Sequence, residues 1–406
     1  MYKDILVMTR PSRRLITTCA ASLALLAGTA CGPFGGDDDK AADGGPSFTV
    51  AAAGDILIHP QLTEQARKDA KVTGKGEKGI DFGPMLAGIK PVISKADLGI
   101  CHFEPVVSKP EGPFQSYPDF LVPPQITTAV KGVGYDQCSS VSNHTLDHGP
   151  KGVTRTLNAL DKAGLKHTGS ARSAAEAKKP LITTVKGVKV GQIAFAFGFN
   201  GRAVPKDKPW IVNQNDFDKI AAAEKATRAA GADVVILSIH WGRENQPNAS
   251  TPQIKLARRI AEETGINLVI GHHAHVVQPM EKIGDTWIAY GLGNQIARHD
   301  VPSGLTEEGA IGWFTFTKRG GKWDVGAKYV PTFTEIPPDP DETGELPKGA
   351  VKDHRLLDVA ATLRDGKGLS EERRSRYRLA FERTQGTLLN RGAGQDGLEA
   401  LEDLPD

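Results

Sequence analysis

A chain of 406 residues is long enough to bury a full core, as one large domain or two to three smaller ones. Its formal charge of +2 is spread without a basic stripe, which argues against a nucleic-acid partner. No P-loop, dinucleotide fingerprint or G-x-S-x-G elbow is present, so nucleotide-driven ligation and elbow-type serine hydrolysis are set aside.

The N-terminus reads as a processing segment. Lys3, Arg10, Arg13 and Arg14 form a basic region, residues 15–27 are an apolar run too short to span a membrane, and "GTAC" ends at Cys31. This is the pattern of a bacterial lipoprotein signal over residues 1–31, although Gly28 stands where leucine is usual. "SRRLI" partly matches a twin-arginine export signal; a plain secretory signal or an uncleaved anchor are the other readings. Residues 32–47, "GPFGGDDDKAADGGPS", read as a flexible tether. The expectation is an exported protein held by lipid on Cys31 at the extracytoplasmic face. Cys101 and Cys138 are the body's only cysteines. Two buried free thiols are the simpler expectation, and an export compartment permits a disulfide.

The body, 48–331, alternates strands and helices. Residues 48–53 are short and apolar and end at Gly54-Asp55, which suits a buried strand. A helix is expected over 83–96, a strand at "ADLGICHFE", a helix near 124–131, a short strand before "SNHTLDHG", and a helix over 149–163 carrying Val153, Leu157 and Leu160 at helical spacing. Strands near 181–185 and 190–197 flank a turn at Lys186-Gly187. A helix over 213–230 leads to "ADVVILSIHWGRE", and one over 251–264 leads to "INLVIGHHAHVVQP". "DTWIAYGLGN" and strands near 311–317 and 323–330 close the body. A Pro/acidic linker over 332–349 and a charged helical appendage over 350–406 follow. This alternation predicts an α/β layered fold with buried strands, whose ligands bind at carboxyl strand ends.

Those strand ends collect one chemistry. Asp55, Glu104, Asn143 with His144, His240, and the group His272, His273 and His275 each follow an apolar run. Any one of them is ordinarily a cap, a turn residue or a hydrogen-bonded core group. Five together form a mixed oxygen and nitrogen donor set suited to divalent Mn, Fe or Zn, and too rich in imidazole for Ca or Mg. Two such ions would activate a bridging water and clamp a phosphoryl-type group.

The ordered series "AAGDILIH", "ADLGICHFE", "SNHTLDHG", "IHWGRE", "GHHAHVVQ" and "YGLGN" resembles the CapA family of bacterial capsule and poly-γ-glutamate synthesis proteins. That family resembles the calcineurin-like metallophosphoesterases, so the resemblance implies a β-sandwich of two sheets flanked by helices. It implies Asp55 as a metal carboxylate, Glu104 as the bridging one, Asn143 as amide ligand, and His240 with His273 and His275 as imidazole ligands. His-x-His spacing favours the latter pair over His272 if the loop is extended. His144 corresponds to the histidine that protonates a leaving group. Asp147 reads either as a helix N-cap or as support for His144, and Glu244 as support or a solvated loop residue. Asn294, like His59, is a candidate substrate contact or support for a ligand. The chain departs from the family in carrying His102-Phe103-Glu104 for Asn-Leu-Glu, Ala274 for a proline, and His59 four rather than two positions after Asp55. His102 reads as a strand residue or an extra ligand.

Two functions fit. One is a metal-dependent hydrolase acting on an envelope polymer or phosphoester. The other is a non-catalytic subunit that binds, exports or anchors polymer with a membrane polyglutamate synthase complex. An "Asp-then-Ser" esterase is excluded because Ile56 follows Asp55.

Overall fold

The computed structural model describes residues 45–299, 303–339, 342 and 345–404. The expected signal segment and Cys31 lie outside the described residues.

Two sheets stack face to face. The first runs in the order β14 (Arg355–Asp358), β13 (Lys322–Glu335), β12 (Glu308–Arg319), β1 (Ser47–Ile56), β2 (Leu98–Phe103), β3 (Gln137–Ser139), β4 (Lys166–Thr168). β11 (Asn294–Ile296) adds to β1, and β15 (Glu399–Ala400) adds to β13. The second sheet runs β5 (Leu181–Val185), β6 (Val188–Ala196), β7 (Val234–His240), β8 (Leu268–His272), β10 (Thr286–Ala289), β9 (Met280–Ile283).

The period-two pleat explains the layering. On β1, Phe48, Val50 and Ala52 face the second sheet, where they meet Val234, Ile236, Leu268 and Ile270. Ala51 and Ala53 face the opposite way, into a core with Leu62, Ala66, Val153 and Leu157 of helices Pro60–Thr73 and Gly149–Ala163. On β7, Val235, Leu237 and Ile239 pack on Ile220 of helix Phe217–Ala229 and on Ala257 and Ile260 of helix Thr251–Glu263. The central strands are buried on both faces, so they read as continuous apolar runs. Each large apolar side chain so buried contributes about 1.5–3 kcal/mol. The result is the mixed α/β arrangement of two sheets flanked by helices.

The helix expected over 83–96 is broken into Gly83–Leu86, a 3-10 turn Ala87–Ile89, and Lys90–Ile93. Pro84 and Pro91 lack the amide hydrogen that a continuous helix needs, and Gly88 lies between them. β13 runs on to Glu335, past the expected start of the linker, and residues 350–406 contribute strands β14 and β15 to the first sheet as well as helices Val359–Asp365 and Glu371–Leu388. Among the described residues no helix is long and apolar enough to cross a membrane.

Cys101 and Cys138 face each other across the parallel pair β2 and β3, with Cα atoms 4.4 Å apart, and they are joined as a disulfide rather than left as free thiols. The next residue on each strand, His102 and Ser139, forms the next pair in the register.

Candidate metal centre

β1, β2 and β3 are parallel in one sheet, and β6, β7 and β8 in the other, so their carboxyl ends converge. Gly54 lets β1 approach β11: a Cβ there would lie 1.9 Å from the Gly293 carbonyl oxygen. That contact delivers Asp55 to the end of the sandwich.

Asp55 is 1% exposed. Its Oδ1 lies 3.3 Å from His272 Nδ1, its Oδ2 lies 3.2 Å from His275 Nδ1, and Oδ2 accepts from the His273 amide at 3.0 Å. Glu104 Oε1 lies 3.9 Å from His275 Nε2 and 3.8 Å from His240 Nε2. His240 Nε2 pairs with Asn143 Oδ1 at 2.9 Å, and His240 Nδ1 with His102 Nε2 at 3.0 Å. His102 Nδ1 meets Ser139 Oγ at 2.7 Å, and its ring stacks on His272 at 4.0 Å. Three sets bring ligand atoms within 4.8 Å of one another: Asp55, His102, His240; Asp55, Glu104, His275; and Glu244, His273, His275.

The sequence-read residues therefore come together, with two changes. All three loop histidines converge instead of two, because the loop is not extended. His273 and His275 have φ of +91° and +56°, and these left-handed conformations turn successive side chains inward. Each such residue costs on the order of 1–3 kcal/mol. The Asp55 bond to the His273 amide, and Asn294, whose Oδ1 pairs with His275 Nδ1 at 3.0 Å and whose Nδ2 donates to the His275 carbonyl, offset that cost. Second, His102 is a strand residue that also points into the cluster.

Asp147 does not cap the helix that starts at Gly149. The cap position is His148, with no side-chain bond, and the Asp147 carboxylate instead receives His144 Nδ1 at 2.7 Å and the Phe120 amide at 2.9 Å. His59 lies at the edge of the cluster, its ring 5.2 Å from that of His299 and 5.3 Å from Phe120. His299 itself, 5.2 Å from the His275 ring, was not read from sequence; it follows a three-residue strand with no strong apolar run before it. Nor was Asn200, whose Oδ1 accepts from Asn143 Nδ2 at 3.2 Å and thereby turns the Asn143 oxygen toward His240. Its mark is a non-glycine residue at φ +47°, which sequence does not display.

Burial and the crowding of like groups set the protonation of the cluster. Burial pushes Glu104 well above the usual carboxylate range. Burial also opposes ionisation of Asp55, but the imidazoles of His272 and His275 close to its carboxylate outweigh it and hold Asp55 well below its usual value. Burial drives His102 and His240 well below the usual imidazole range, and His273 down to about 4. His275 is disfavoured by burial yet raised to about 10 by Glu104 and Asp55. Asp55 Oδ1, both Glu104 oxygens, both His272 nitrogens and His273 Nδ1 are buried without a hydrogen-bond partner. Native interiors rarely leave such atoms unsatisfied, and here they converge. His102, His240 and His273 are thus neutral, the state in which imidazole takes a divalent metal of the Mn, Fe or Zn type, and a bound cation would displace the protons of Glu104 and His275.

A two-sheet α/β sandwich with a histidine and carboxylate cluster at its strand ends defines the class. The chain belongs to the family described as "Bacterial capsule synthesis protein PGA_cap", whose model matches residues 49–299. It is similar to the "Capsule biosynthesis protein CapA" of Bacillus anthracis, 26% identical over 61% of this chain and 59% of that protein's length. It is also similar to the "Probable polyglutamine synthesis accessory protein Rv0574c" of Mycobacterium tuberculosis, 28% identical over 61% of this chain and 74% of the relative. Among solved structures, a calcineurin-like phosphoesterase, YfkN of Bacillus subtilis, aligns with 70% of this chain and 91% of its own at 16% identity and a TM-score of 0.39. At that score the family assignment rests on the sequence model, and the chemistry on the geometry above.

Proposed function

We propose that the chain is a divalent-metal-dependent hydrolase of capsule or polyglutamate synthesis, acting on a cell-envelope polymer or phosphoester. The reading also takes the protein as exported and held to the membrane through lipid on Cys31. The observation that carries the hydrolase reading is the convergence of unpartnered buried donor atoms from Asp55, Glu104, His272 and His273. Asp55, Glu104 and His275 would hold one ion. His240, Asn143 and His273, with His102 and Glu244 at the margin, would help hold another. Bound metal supplies a Lewis acid and an acidified water. His144, kept in orientation by Asp147, presents its Nε2 to the leaving group as general acid. Asn294 would hold His275 in place.

A second reading is a non-catalytic accessory role beside a membrane synthase, favoured by the name of the Mycobacterium tuberculosis relative. Metal content separates the two. The full chain, purified without chelator, should carry Mn, Fe or Zn that a His240→Ala, His273→Ala double variant loses, and it should cleave aryl phosphoesters or γ-glutamyl polymer. Absence of metal, with none taken up on titration, would leave only the accessory reading.

A further inference from the structure

The segment that leaves β6 brings three unlike side chains to the rim of this cluster. Phe197 is 45% exposed, unusual for a large aromatic, and its ring sits 4.7 Å from that of His273 and 6.2 Å from His240, parallel to the latter within 5°. Asn200 fixes the Asn143 amide. Arg202 reaches the other side, between the exposed carboxylate of Asp119, with which it pairs, and the buried Asp147 that orients His144.

The Arg202 side chain is 35% exposed: its Nε is shielded from solvent and faces Asp147 Oδ1 at 3.6 Å, while a terminal nitrogen pairs with Asp119. A guanidinium anchored through its Nε side against Asp147 and held outside only by an exposed carboxylate is placed to turn its terminal nitrogens to a planar or tetrahedral oxyanion, for which its fork is shaped. Its pairing with Asp119 is solvent-exposed and therefore weak, so an incoming anion can displace that carboxylate. The exposed face of Phe197 offers apolar area without a charge.

We infer that residues 197–202 form the substrate-reading loop of the centre: Phe197 supports an uncharged stretch of substrate, and Arg202 takes an anionic group, carboxylate or phosphate, flanking the reacting bond. The inference rests on the proposed hydrolase site for its location, and it narrows the substrate to one that carries a negative charge next to apolar chain.

The experiment is calorimetric titration of the full metal-loaded chain with a γ-glutamyl oligomer and, in parallel, with bis(p-nitrophenyl) phosphate, with metal content determined for every variant. Arg202→Gln should weaken the favoured probe about tenfold, as expected for one charge-assisted bond, and Arg202→Lys should restore only part. Asp119→Asn should tighten binding, because it removes the competing carboxylate; a purely structural ion pair predicts no such gain. Phe197→Ala should weaken the oligomer several-fold with metal content unchanged. The probe that responds to Arg202 identifies the anion as carboxylate or phosphate. Unaltered affinities in Arg202→Gln and Asp119→Asn, or binding of neither probe by the wild-type chain, overturn the inference. If the wild-type chain holds no metal and cleaves nothing but still binds oligomer through Arg202, the hydrolase reading falls and the loop assignment stands.

Discussion

Replacing Cys101 and Cys138 together by alanine removes the cross-link between β2 and β3, and the cost follows from the loop it closes. The two residues are 37 positions apart in sequence. Loop-closure entropy for that length gives about 4 kcal/mol of stability at 25 °C, between the values for short and very long loops. Both side chains are at most 1% exposed, so solvent contributes little to the difference. The consequence should also reach the metal centre, since His102 and Ser139 directly follow the two cysteines and are hydrogen-bonded to each other. Denaturant unfolding of the oxidised wild type, the wild type in reductant, and the double variant should show one high and two lowered midpoints. Metal affinity should fall in the same order. Coincident midpoints for all three would refute the cross-link and the stabilisation argued from it.

Asp147→Asn should lower turnover of whichever substrate is cleaved by about tenfold to a hundredfold with metal content unchanged, checked by parallel kinetics and metal analysis, because it mispositions His144 without touching the ligands. Arg376→Ala with Arg383→Ala strands Glu308, 3% exposed, in the interior, and should cost about 3–5 kcal/mol in chemical denaturation. The same double variant should weaken metal binding, since both arginines also hold the Gly304 carbonyl near Thr306, whose carbonyl accepts from Asn294. For chelator-treated protein, stability should be greatest near neutral pH. His275, raised to about 10 in the fold, contributes stability that is full below about pH 6.5 and lost as pH rises through 10. His59, His273 and His299, depressed to about 3, 4 and 4, are neutral in the fold, so stability falls as pH drops from about 6.5 toward those values. A flat pH profile without metal would contradict this arrangement of charges.

Much of this centre was legible in the sequence because most of its residues lie at, or a few positions past, the ends of strands buried on both faces. Continuous apolar runs such as "VVILSI" and "INLVI" announce such strands, and polar residues at their ends stand out. The limits are equally physical. His102 lies inside a strand, where the pleat decides its direction and spacing does not. His272 is the last residue of β8, where the pleat sets its direction, and His273 joins it only because of the positive φ angles at His273 and His275. Asn200 and Arg202 stand in an irregular loop whose path no periodicity encodes. The role of the last helix was also hidden, because its charged pattern looks solvated while several of its arginines reach carboxylates on β12 and β13.

β1, which carries Asp55, lies between β2 and β12 in the first sheet. During synthesis from the ribosome, its partner on one side, residues 308–319, emerges only after every proposed ligand has already been made. Pairing over such a separation is slow to find, because loop closure precedes any contact that rewards it. The donor atoms at the end of β1 cannot be fixed until that late strand inserts and the arginines of helix Glu371–Leu388 fasten it at Glu308. Capture of the proposed metal would thereby be tied to completion of the chain, and truncated products should emerge without an assembled cluster.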